Sequence, residues 1–191
     1  LEKIRSFYMD RGYLDFDIEN TTVSISETKK NVYIAIIIDE GNKYNFGDIQ
    51  ISGKFYPLKE ESIFQNDIKT IKGEVFSRKL LNQSTESINQ ELGNYGYAFS
   101  NVNPIPDVDK NNLTVGFNYF IEPGKKVYVR RISFMGNEKT QDKVLRREMR
   151  QFESSYYDKE KIDQSSRRLK RTQYFEGVDI KTVSVPGISD Q

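Results

Sequence analysis

The chain repeats itself at a spacing of about 84 residues, and this limits the fold more than any other feature. Tyr8-Met9-Asp10-Arg11-Gly12-Tyr13-Leu14-Asp15-Phe16 lines up with Leu92-Gly93-Asn94-Tyr95-Gly96-Tyr97-Ala98-Phe99. Ile38-Asp39-Glu40-Gly41 lines up with Ile121-Glu122-Pro123-Gly124, and residues 46–53 with Val129-Arg130-Arg131-Ile132-Ser133-Phe134-Met135-Gly136. A weaker copy of the first block recurs at Leu169-Lys170-Arg171-Thr172-Gln173-Tyr174-Phe175, where Gln173 stands in the glycine position. A fold that fits such a period is a series of small domains, each with its own thin core.

Within each period the apolar pattern changes from strand to helix and back. Residues 44–52 and 126–135 are β-branched and aromatic and close on Gly53 and Gly136, which predicts strands. Leu58, Ile63, Phe64 and Ile68 predict a short helix over 58–70. Its counterpart spans Glu138 to Gln151, with Val144, Leu145, Met149 and Phe152 on one face and Arg146, Arg147 and Arg150 mostly off it. Ser77 and Asp158 suit the N-caps of second helices that end at the Gly-Tyr blocks. Extended stretches at 14–26 and 98–108 then turn through Glu27–Asn31 and Asp109–Asn112 into returning strands at 32–38 and 113–121. The unit reads strand–helix–helix–strand–strand, an α+β fold with two helices packed on a three-stranded mixed sheet. Residues 1–41 are then the C-terminal part of one unit, 42–124 a complete unit, and 125–191 a unit lacking its last strand.

Absences narrow the chemistry. No His removes the commonest general base and metal ligand, and no Cys removes disulfides and thiolates, so no Ser-His-Asp or Cys-His site can form within the chain. The longest apolar run, Val32–Ile38, has strand length and falls well short of a membrane span. The chain begins in mid-pattern at Leu1, as a piece of a longer protein would. Residues 1–124 carry 13 Lys/Arg against 18 Asp/Glu, while 125–191 carry 16 against 10. An acidic end and a basic end suit different neighbours.

The unit order and its punctuation resemble the POTRA domains of outer-membrane assembly factors. The resemblance is carried by Arg5-Ser6-Phe7-Tyr8-Met9-Asp10-Arg11-Gly12-Tyr13, Tyr95-Gly96-Tyr97-Ala98, Tyr128–Asn137, Val144-Leu145-Arg146-Arg147-Glu148-Met149-Arg150-Gln151 and Val185-Pro186-Gly187. It implies part of a third, all of a fourth and most of a fifth POTRA domain, in a periplasmic array attached to a C-terminal barrel outside this chain. It implies no catalysis and no cofactor. The partners it implies are accessory lipoproteins and unfolded outer-membrane proteins. A related secretion or translocation barrel, a cell-wall-binding module and a carboxylate-only glycoside hydrolase are the rival readings.

Three surfaces are candidates. Arg146, Arg147 and Arg150, with Glu153 just beyond, suit partner docking, because guanidinium groups pair with carboxylates in two-pronged fashion; a solvated helix face is the plainer alternative. Glu153 matches a position that resembles the family's contact with its essential lipoprotein. The middle strand of each unit, expected at an edge, offers Ser100, Val102, Phe175, Val178 and Ile180 for capturing an extended peptide, although Pro104 and Pro106 blunt the first of these edges. Arg167, Arg168, Lys170 and Arg171 suit anionic lipid or a partner; with net charge near zero and no nucleic-acid motif, nucleic acid is not expected. Asp15, Asp17 and Glu19 alternate on a strand but follow no calcium-loop pattern, so no metal site is expected.

Overall fold

The computed structural model describes residues 1–54 and 61–187. In chain order they form α1 (Glu2–Met9), β1 (Asp17–Ile25), β2 (Val32–Asp39), β3 (Asn45–Gly53), a 3₁₀ helix (Glu61–Asp67), α2 (Arg78–Asn94), β4 (Asn101–Asp109), β5 (Thr114–Glu122), α3 (Asp142–Glu148) and α4 (Lys159–Arg171). The chain divides into two compact units, one of residues 1–52, 65–85 and 103–120, the other of 53–64, 86–102 and 121–191. Each encloses one border between repeats. Among the described residues no helix is long and apolar enough to cross a membrane.

The middle repeat holds a three-stranded sheet in the order β3-β5-β4, so its last strand in sequence is its central strand. Val115, Phe117, Tyr119 and Ile121 are all buried while their neighbours are not, the period-two signature of a strand with one covered face. Phe46, Phe76 and Phe117 meet ring to ring at 5.5–6.2 Å. Gly47 and Gly116 let β3 and β5 approach closely: a Cβ on Gly47 would lie 2.9 Å from the Gly116 nitrogen. The turn into β5 is tied by the Asp109 carboxylate, which accepts the backbone N–H and the side-chain amide of Asn112 and the backbone N–H of Asn111, and is thereby held below the usual carboxylate range. The helix expected at 58–70 is shorter and of 3₁₀ type over Glu61–Asp67; Leu58 lies outside the described residues.

In the first repeat β1 and β2 pair antiparallel from Asp17↔Asp39 to Ile25↔Val32, across the expected turn. A register shift between Ile18 and Asn20 breaks the alternation expected of Asp15, Asp17 and Glu19. Asp17 instead pairs with Arg5 at 3.1 Å, and Asp15 accepts the Tyr44 hydroxyl at 2.8 Å.

The last repeat departs most from expectation. Its first helix spans only Asp142–Glu148, because Met149 turns to an extended backbone, ψ 140°. Leu145 and Met149 are buried as expected, but Phe152 lies beyond the turn and is 62% exposed. Neither 126–135 nor 175–183 forms a strand; only Tyr128 makes a bridge, to Tyr156. The middle repeat supplies the reason. Its central strand is the one that follows its helices and hairpin, and the described residues of the last repeat contain no counterpart. Without such a neighbour neither outer stretch builds a strand ladder, although Val127 and Val129 in the first keep backbone hydrogen bonds.

What the repeats share is a hydrogen-bonded latch. Ser84, fully buried on α2, accepts the Lys69 N–H at 2.8 Å and donates to the Leu80 carbonyl. Ser165, fully buried on α4, accepts the Arg150 N–H at 2.8 Å and donates to the Lys161 carbonyl. The borders are also alike. The Tyr44 N–H reaches Gly12 O and the Val127 N–H reaches Gly96 O; Tyr44 O then accepts from Phe76, and Val127 O from Tyr157.

Candidate partner-docking surface

The last repeat's polar surface is organised by one backbone residue. Ile132 lies outside any strand, so its amide groups need partners from elsewhere. Its N–H donates to Glu153 Oε1 at 2.7 Å, and its carbonyl accepts from Arg146 Nη2 at 3.0 Å. Arg146 Nη1 closes the ring on Glu153 Oε1 at 3.2 Å. Two side chains thus serve Ile132 as a neighbouring strand would. The Arg146 guanidinium also stands 5.4 Å from the centre of the Phe134 ring.

This arrangement sets the charge state of Glu153. The Ile132 N–H first and the Arg146 hydrogen bond second hold its carboxyl below the usual range, outweighing desolvation, with smaller help from the charges of Arg146 and Arg131. Its side chain remains 38% exposed, and its second oxygen bonds no group among the described residues. The surface therefore offers an ionised carboxylate oxygen set among arginines, an acceptor for a guanidinium or ammonium group.

The other predicted residues scatter. Arg147 pairs with Glu148 at 3.6 Å, and Arg150, beyond the end of α3, turns back to the Met149 carbonyl. The three arginines therefore do not share one helical face. Arg168 is drawn to Glu148 at 2.7 Å, tying α4 to α3, and so leaves the basic group expected at 167–171. Arg167, Lys170 and Arg171 stay exposed.

The edge residues are divided too. β4 lies at the edge of its sheet. Val102, however, is buried at 6% exposure, and Ser100 lies just before the strand with its hydroxyl on Asn89. Phe175 and Val178 pack against the Leu145–Met149–Leu169 cluster, and Ile180 is half-buried, so none of the three lies on a strand edge.

Ile132 escaped the sequence reading because its contribution is made by backbone atoms. Ser84 and Ser165 did leave a signal. A slide of 81 residues, three fewer than aligns the loops, matches Phe64 with Leu145, Ser77 with Asp158, Ser84 with Ser165 and Ile88 with Leu169.

Comparison with known proteins identifies the family. The family model POTRA, "surface antigen variable number repeat", matches residues 1–41, 44–124 and 127–190. The outer membrane protein assembly factor BamA of Neisseria meningitidis is 34% identical over the whole chain, which covers 24% of that protein. BamA of Buchnera aphidicola is 32% identical over 94% of the chain, covering 29% of that protein. The chain thus spans about a quarter of the length of these relatives. Among solved structures, Haemophilus influenzae BamA POTRA3-5 aligns with a TM-score of 0.91 at 28% identity, covering 99% of this chain and 74% of that one. Haemophilus ducreyi BamA lacking POTRA domains 1-3 aligns with a TM-score of 0.62 at 31% identity, covering 78% of this chain and 28% of that one.

Proposed function

Given that the chain belongs to the POTRA family, we propose that it is a non-catalytic periplasmic module of an outer-membrane protein assembly factor, divided into units at 1–41, 42–124 and 125–191. Its work is docking. The last unit receives an accessory lipoprotein of the assembly machine through Glu153 and the arginines around it, close to a barrel that continues from this module. The ring formed by Glu153, Arg146 and the Ile132 backbone carries this reading, because it fixes a charged acceptor on an exposed surface before any partner arrives. The exposed Arg167, Lys170 and Arg171 give the same unit a cationic side suited to anionic headgroups.

The test is binding of this chain to the purified accessory lipoproteins, with two variants. Glu153→Lys should abolish binding to one of them. Glu153→Gln keeps an acceptor for the Ile132 N–H but removes the charge, and should weaken binding while leaving the Ile132 amide resonance in place. Binding indifferent to both variants would remove the docking role from this surface. A related secretion or translocation barrel would then be the better parent for the module.

Capture of unfolded outer-membrane proteins by strand addition is a second reading, favoured by β1, a nine-residue strand without proline. β4 is a poorer acceptor. Prolines inside a paired strand occupy positions facing away from the neighbour, so Pro104 and Pro106 remove donors from the outer edge. Replacing both with Thr should increase binding of a synthetic peptide with alternating apolar and polar residues. Replacing Thr22 by Pro should decrease it. Peptide binding insensitive to both changes would count against strand addition at these edges.

A further inference from the structure

We infer that the repeats are locked in orientation by a helix cap supplied across each border, from the end of one repeat to the second helix of the next. The start of an α-helix leaves its first backbone N–H groups without partners, and a side-chain oxygen usually satisfies one of them. Here two side chains do so, one from each repeat. At α4, Asp158 accepts the Lys161 N–H at 3.0 Å from within the repeat, and Asn94, the last residue of α2, accepts the Glu160 N–H at 3.0 Å from the repeat before. At α2, Ser77 accepts the Leu80 N–H at 3.4 Å from within, and Asp10, just past α1, accepts the Lys79 N–H at 2.8 Å from the repeat before. The same helix positions are used both times.

The cap does not act alone. Around it stand the backbone bonds Gly12–Tyr44–Phe76 at one border and Gly96–Val127–Tyr157 at the other. Close packing completes the second border: a Cβ on Gly93 would come within 2.8 Å of the Lys159 Cβ. A hinge would have to break the cap and the backbone bonds together, leaving the freed helix start short of one acceptor. Reorientation of one repeat against the next is thereby coupled to fraying of a helix terminus. The chemistry of the two caps also differs. Asp10 brings a negative charge to a helix start, where it is favoured by the helix dipole, and Asn94 brings only an amide oxygen.

The chain has no cysteine, so pairs introduced for spin labels are unambiguous. Labels at positions 90 and 170 span the second border, and labels at 3 and 82 span the first. Asn94→Ala should raise the exchange rate of the Glu160 amide about fivefold, the loss expected of a helix cap. It should also broaden the 90–170 distance distribution and leave the 3–82 distribution unchanged. Asn94→Asp should restore both readings. Asp10→Ala should give the mirror result, at the Lys79 amide and the 3–82 pair. Unchanged exchange and distance width in the Ala variants would overturn the inference. So would broadening of both label pairs by either variant, since that would signal general loosening in place of a border-specific lock.

Discussion

In the middle repeat Phe64, Phe76, Phe117 and Tyr119 are closed off from solvent, while in the last repeat the buried cluster between the helices is Leu145, Met149 and Leu169, with Ile132, Phe134, Phe175 and Val178 only partly covered. The helix pair is the same in both, down to the serine latch. The sheet is not: one is bonded through a central strand, and the other has no central strand among the described residues. Among the described residues, then, the helix pair and its small buried cluster are present without a bonded sheet beside them, while the side chains around that cluster are only partly covered. The second helices are held by the serine latch and by a cap residue of their own, Ser77 or Asp158, and neither needs the sheet. The strands depend on a neighbour that arrives last in sequence.

The sharpest test of this contrast is a pair of truncations. Phe117→Ala in the closed core should cost about 3–5 kcal/mol, because the surrounding rings cannot collapse into the space. Met149→Ala in the open cluster should cost about 2 kcal/mol, the low end for such a change, because solvent already reaches its neighbours. Urea unfolding followed by tyrosine fluorescence would measure both. Equal losses would mean that the last repeat's cluster is as well packed as the sheet-covered core. The latch should behave oppositely. Ser84→Ala and Ser165→Ala each strand a backbone N–H, of Lys69 and Arg150, and each should cost about 1–3 kcal/mol. Similar values would support a latch independent of the sheet; a much smaller loss at Ser165 would make it a product of the closed core.

The third test exchanges one residue between the repeats. Gly73 and Ser154 occupy matching places before the second helix, and both have positive φ, 90° and 61°. The Gly73 N–H donates to Phe46 O as the Ser154 N–H donates to Val129 O. A side chain at Gly73 would meet nothing within 4 Å, so the only cost there is backbone conformation. Gly73→Ser should destabilise the middle repeat by about 1 kcal/mol, and Ser154→Gly should stabilise the last by a similar amount. Thermal unfolding would read both. A stabilising effect of Gly73→Ser would show that the matched position is not matched in conformation.

Much of this architecture was legible in the residues. The hairpins, the N-caps Ser77 and Asp158 and the Gly-Tyr stops rest on local chemistry, and local chemistry is visible in sequence. That the last repeat forms no strand over 126–135 or 175–183 was not, because these stretches have strand composition whether or not a partner is present; pairing is a property of two segments. The proposed docking surface was half legible. Arg146 and Glu153 stood out as charged residues, but their joint grip on Ile132 passes through a main-chain N–H and C=O that every residue possesses. The Arg168–Glu148 pair was hidden for a related reason: Glu148 lies on another helix, and no spacing along α4 points to it.

The smallest expected effect probes that grip by pH. The Glu153 carboxyl titrates below its ordinary range when folded, mainly because the ionised form accepts the Ile132 N–H and secondarily because Arg146 pairs with it. A carboxyl depressed on folding adds stability that is fully present above its unfolded value and is lost as pH falls through its lower folded value. From neutral pH down to the ordinary carboxylate range, then, the Ile132 amide should keep its protection and its resonance position. Both should change only on further acidification, as the proton competes for the oxygen that holds the N–H. The middle repeat supplies the control, since Phe46 is bonded there by the backbone of Glu74 and has no carboxylate to lose. If the Ile132 and Phe46 amides respond to acid together, the whole fold is giving way. If Ile132 responds alone, its amide is held by a carboxylate where that of Phe46 is held by backbone. In Arg146→Gln the Ile132 transition should move to higher pH, because the carboxylate keeps its main hydrogen bond but loses its nearest positive charge.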